Sequence, residues 1–198
     1  MAQKPRYLIS GKDMIWSLIP LLAICAVVAM VSGNCSVGLT GGASDDRVPA
    51  FDVASSLKAD AREMPFPVRL PATPAGWKPN SGSSPSLDGH RVSTAGWISG
   101  NGAYVQLTQS DATEDSLIGY LRGEEDYDAV SANGTREVAG RTWVTYSTTG
   151  GKKFWVTDLG DARIAVLSRG PDSDMEQLAT AVLAADPLPR NCLLYTSP

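Results

Sequence analysis

Residues 163–183 read RIAVLSRGPDSDMEQLATAVL. The first part, Ile164-Ala165-Val166-Leu167, is a short apolar run rich in β-branched residues. It predicts a central strand covered on both faces. Arg169-Gly170 then breaks the run. Pro171-Asp172-Ser173-Asp174 supplies capping side chains and negative charge for a helix N-terminus. Met175, Leu178, Ala179, Val182 and Leu183 follow at i, i+3, i+4, i+7 and i+8, one apolar helix face. Pro187 and Pro189 stop the helix. Together with the turn-separated strands upstream, this helix places the chain in the α+β class.

Upstream, the pattern is one of strands separated by turns. Residues 91–99 alternate loosely through Val92, Ala95, Trp97 and Ile98. Gly100-Asn101-Gly102 marks a tight turn, and residues 103–109 alternate well, so the two segments read as a hairpin. Asp111 or Thr113 caps a helix through about Arg122, with Leu117, Ile118 and Leu121 on its inner face. Residues 135–138, 141–148, 153–158 and 163–169 give further strands, turned at Ala139-Gly140, Gly150-Gly151 and Leu159-Gly160-Asp161. Residues 65–71 are extended because Pro65, Pro67 and Pro71 forbid regular helix. Residues 80–85, rich in Gly, Ser and Pro, read as a loop. Val53, Ala54, Leu57 and Ala61 suggest a short helix in 51–63. The expected domain, residues 64–190, is an antiparallel sheet of about five or six strands with helices packed on one side.

Residues 14–31, MIWSLIPLLAICAVVAMV, carry no charge. A bilayer core about 30 Å thick needs roughly 20 apolar residues in a helix. Lys4, Arg6 and Lys12 precede the run, and the next cation is Arg47. By the positive-inside rule the N-terminus is cytoplasmic and the remainder extracytoplasmic. The expected order is a cytoplasmic tail (1–13), a transmembrane signal anchor (14–32), an extracytoplasmic tether with a short helix (33–63), and the α+β domain. A cleaved signal peptide fits less well, because the apolar run exceeds the usual ~7–15 residues. Lipidation at Cys35 is disfavoured by Asn34 before it. The basic flank argues against a soluble core helix. Residues 191–198 are an apolar tail after a helix stop and resemble translated sequencing-adapter read-through, so they are expected to be non-native.

The chain has 198 residues, a net charge of −4 and three cysteines. Cys25, Cys35 and Cys192 lie outside the expected domain, which excludes a disulfide framework there. The acidic balance and lack of a basic stripe argue against a nucleic-acid partner. The single histidine, His90, lies near Ser83, Ser84 and Ser93, a weak basis for nucleophilic catalysis. No Gly-x-Ser-x-Gly elbow, His-Glu-x-x-His pair or phosphate loop is present. Residues 124–128, EEDYD, lack calcium-loop spacing and read as a solvated loop. Asn133-Gly134-Thr135 fits a glycosylation sequon but also a turn, which is preferred. No cofactor and no metal site are expected. Among the aromatics Trp77, Trp97, Tyr104, Trp143, Tyr146, Phe154 and Trp155, sheet packing is the default. Trp97, Tyr104, Trp143 and Trp155 are the candidates for contact with a ligand or partner.

Three stretches carry a family resemblance: Gly76-Trp77-Lys78-Pro79; Gly96-Trp97 with Tyr104-Val105-Gln106-Leu107-Thr108-Gln109-Ser110-Asp111; and Val138-Ala139-Gly140-Arg141-Thr142-Trp143. With them the chain resembles the bacterial domain of unknown function 4245 family, over about residues 12–186. The resemblance implies one membrane helix, an extracytoplasmic α+β domain, a cell-envelope location and a high-GC Gram-positive source. It brings no activity and no catalytic residues. Gly33-Asn34-Cys35-Ser36 departs from the family pattern.

Three functions remain open. The favoured one is a non-enzymatic, membrane-tethered domain that binds an envelope protein or a cell-wall component. The others are an envelope hydrolase working through paired carboxylates, and a structural subunit of a membrane complex. Oligomeric state is not set by the sequence.

Overall fold

The computed structural model describes residues 51–123 and 129–190, together with Trp16, residues 18–22, Ile24 and Cys25. The chain divides into two compact units, residues 1–47 and 48–198. In the first, the described residues are helical and exposed. Among the described residues no helix is long and apolar enough to cross a membrane. Most of the 14–32 run lies outside them, as do Cys35, the 124–128 acidic run and the 191–198 tail.

In the second unit the order is α1 (Val53–Glu63), β1 (Lys78–Ser83), β2 (Ser86–Leu87), β3 (His90–Ile98), β4 (Tyr104–Ser110), α2 (Glu114–Arg122), β5 (Val130–Val138), β6 (Arg141–Thr148), β7 (Lys153–Asp158), β8 (Arg163–Ser168) and α3 (Asp172–Ala184). The strands form one eight-stranded sheet in the order β1-β3-β4-β8-β7-β6-β5, with β2 paired to β3. Every pairing is antiparallel. The expected strand β8 is indeed central, between β4 and β7.

Two expectations need correction. The sheet is larger than five or six strands, because residues 78–83, overlapping the loop expected at 80–85, and residues 86–87 pair with β3. The strand expected at 135–138 also begins earlier, at Val130, with a register shift between Ala132 and Thr135. Nor do the helices share one side. Successive side chains of a strand point to opposite faces. Ala95, Leu107, Val166 and Trp155 are aligned across neighbouring strands on the first face. They share a cluster with Val53, Leu57 and Ala61 of α1 and Met175, Leu178, Ala179 and Val182 of α3. Phe154 and Ala165, on the second face, pack with Leu117 and Leu121 of α2.

Two of the three helices begin with a side-chain cap. The Asp52 carboxylate accepts from the Ser55 N–H (3.0 Å) to begin α1. The Thr113 hydroxyl accepts from Ser116 N–H to begin α2. Helix α3 starts after Pro171 with no side-chain cap. Its Asp172 instead pairs with Lys153 and Arg136 on the sheet. The segment after α1 is tied to the segment after α3: Leu188 N–H donates to Val68 C=O (2.8 Å). The buried Gln109 side chain both donates to and accepts from the Arg69 main chain, as a strand neighbour would.

Candidate functional site

The four candidate aromatics divide between the two faces. Trp97, Trp143 and Trp155 are at most 2% exposed and belong to one core cluster. The Trp97 indole N–H donates to the Thr73 hydroxyl (3.2 Å). The Trp143 N–H is buried with no hydrogen-bond partner among the described residues. The Trp155 ring is covered by the Arg136 guanidinium, 4.6 Å from its centroid. These three indoles anchor α1 and α3 to the first face and lie out of a partner's reach.

Tyr104 is different. It is 36% exposed, the one exposed large apolar side chain among the described residues from 51 onward. It lies on the second face, since its neighbour position Gln106 aligns with Leu167 and Phe154. Its hydroxyl is held in a polar row. Ser81 Oγ is 3.0 Å away, the hydroxyl donates to Gln106 Oε1 (3.2 Å), and Gln106 Nε2 donates to Thr108 Oγ1 (3.0 Å). The ring passes over Gly96, where a Cβ would collide with both Tyr104 and Ser81. Glycine on β3 is therefore what lets the ring lie on the sheet. Beside the ring is a groove of about 570 Å³ lined by Ala103, Tyr104, Lys152, Leu167, Arg169 and Gly170. Burial first, and then the charge interaction with Tyr104, raise the pKa of Tyr120 on α2.

Among the described residues, His90 and the serines near it in sequence are engaged separately. His90 Nδ1 faces Asp111 (3.2 Å). Ser84 and Ser93 both donate to Asp60 of α1 (2.5 Å each), and Ser83 is bonded to Thr94 (2.8 Å). The strand places His90 and Ser93 on opposite faces, an alternation that sequence proximity hides. Asp60 escaped the sequence reading, although its i+3 spacing from Leu57 puts it on the buried face of α1.

Carboxylates do share one cavity, of about 440 Å³, lined by Glu114, Asp158 and Arg163 among others. Each is engaged. Tyr146 donates to Glu114 (2.7 Å), and Arg163 is 2.7 Å from Asp158. Burial, and then the bond to Glu114, push the Tyr146 pKa up to about 12. Among the described residues no group of three or more His, Cys, Asp or Glu is placed to hold a metal ion.

These features define an α+β sheet domain with helices on both faces and, among its described residues, one exposed large aromatic beside a groove. The chain belongs to the family described as protein of unknown function (DUF4245), whose model matches residues 6–182. No curated protein and no solved structure matches it.

Proposed function

We propose that this protein is a membrane-tethered accessory domain of the cell envelope. Residues 14–32 form its signal anchor, its N-terminus is cytoplasmic, and the α+β domain is extracytoplasmic. The domain binds an envelope protein or a cell-wall component without catalysing a reaction. The uncharged run and its basic flank support the anchoring. One observation carries the binding role: Tyr104 is held exposed by a hydrogen-bonded row beside a groove, while the other three candidate aromatics are core. An exposed aromatic fixed in place loses little freedom on binding, which is why such residues dominate contacts.

Native mass spectrometry of the full chain, extracted gently from its own membranes, tests this. The wild type should carry a co-purifying partner. Tyr104→Ala should lose that partner while melting within about 5 °C of the wild type. Full retention of the partner by Tyr104→Ala would remove the groove from the reading.

A further inference from the structure

The order of hydrogen bonds along the Tyr104 row narrows what it holds, on the reading above that Tyr104 is the contact residue. Every side chain in the row is neutral: Ser81, Tyr104, Gln106 and Thr108. Thr108 is buried, Ser81 and Gln106 are half-buried and Tyr104 is exposed, so a ligand reaches the last three. The Tyr104 hydroxyl donates its one proton to Gln106 Oε1, so Ser81 is the donor in the 3.0 Å contact between the two hydroxyls. Ser81 Oγ is left with acceptor capacity. Gln106 keeps a second N–H, since the other goes to Thr108, and a second lone pair on Oε1. The remaining capacity is therefore mixed, acceptors beside a donor. Between them the Tyr104 ring lies over Gly96 and turns its other face outward.

We propose that this face binds a β-1,4-linked pyranose chain, a neutral polysaccharide strand of the envelope. A sugar hydroxyl both donates and accepts, which is what the remaining positions on Ser81 and Gln106 ask of a ligand. The C–H face of one pyranose ring lies on the outward face of Tyr104, whose body is apolar and whose tip is polar. A β-1,4 linkage keeps successive rings extended, so that neighbouring rings follow the sheet surface, whereas an α-1,4 linkage curls the chain away. The complementarity is one of charge: a neutral row and a neutral ligand shed water at far less cost than an ion would. Lys152 and Arg169, which donate to the Arg122 and Gly150 carbonyls, take no part in this contact.

The test uses the full chain in neutral-lipid nanodiscs, with empty nanodiscs subtracted. Saturation-transfer NMR titrations measure cellotetraose and chitotetraose, two β-1,4 chains, and maltotetraose, an α-1,4 chain. At least one β-1,4 chain should bind, and about tenfold more tightly than maltotetraose. Tyr104→Ala should weaken that binding about tenfold or more, whereas Tyr104→Phe, which keeps the ring, should stay within about threefold of the wild type. Gln106→Leu should weaken it about threefold or more. Thermal melts establish that each variant is folded. Binding of neither β-1,4 chain, equal binding of maltotetraose, or undiminished binding by folded Tyr104→Ala overturns the proposal. If Tyr104→Ala does not fold, undiminished binding by Gln106→Leu overturns it instead. A Tyr104-dependent protein partner found alongside any of these leaves the accessory-domain reading standing. Loss of both results ends both.

Discussion

The contrast between Tyr104 and the tryptophans sets the residue-scale expectations. Trp97→Ala removes a fully buried indole and should cost about 3–5 kcal/mol by chemical denaturation. Gly96→Ala inserts a methyl into the space of the Tyr104 hydroxyl and Ser81. It should cost about 1–3 kcal/mol. Adding Tyr104→Ala should recover part of that loss, a coupling that a double-mutant cycle reads directly. Additive effects would mean that ring and glycine are not in contact. Tyr146 gives a pH signature. Its folded pKa of about 12 lies above the ordinary value of 10, so folding favours the protonated phenol. That contribution is complete below pH 10 and fades as pH rises toward 12. Stability should fall across this window, and Tyr146→Phe should flatten the fall in a pH series of urea melts. These roles were only half legible in the sequence. Aromatic identity showed that the residues mattered. Which of them was exposed depended on the face each strand presents, and on a glycine one strand away.

The elements show where local pattern suffices and where it does not. Helix α3 and strand β8 were readable because their apolar periodicity is strong and their breakers are unambiguous. Strand β1, Lys78–Ser83, was not, because its Pro, Gly and Ser content reads as loop. It is held by β3 and by side-chain bonds from Ser81 and Ser83 rather than by its own propensity. The second face was missed for a related reason. Phe154 and Trp155 are both buried, so β7 shows no polar side, and only α2 reveals what covers Phe154. Helix α2 should accordingly be the sensitive cover of that face. Thr113→Ala should cost about 0.5–2 kcal/mol through loss of its cap. Leu117→Ala should cost about 2–5 kcal/mol, measured by equilibrium unfolding. Helix α1 depends on a polar contact as well. Asp60→Ala leaves the Ser84 and Ser93 hydroxyls without their acceptor and should cost about 1–3 kcal/mol.

For the whole molecule, the α+β class and family were legible from short motifs and overall plan, whereas the extent of the sheet was not. The proposed topology makes a plain prediction. Alkaline phosphatase joined after residue 190 should be active in intact cells, and green fluorescent protein at the same site should be dark. The reverse pattern would place the domain in the cytoplasm.

The pairing of β4 with β8 has a consequence for how the protein comes into being. Strands β5 to β8 form a meander of neighbours, and β3 with β4 forms a hairpin. The two groups meet only where Arg163–Ser168 joins Tyr104–Ser110. Until that segment has been synthesised, β4 and β7 each present a raw edge able to pair with the wrong chain. Long-range closure of this kind is slow, on the order of milliseconds to seconds for sheet-dominated folds. A ribosome that stalls before Arg163 would therefore release one chain whose two strand groups lack the strand that joins them, rather than a smaller working domain.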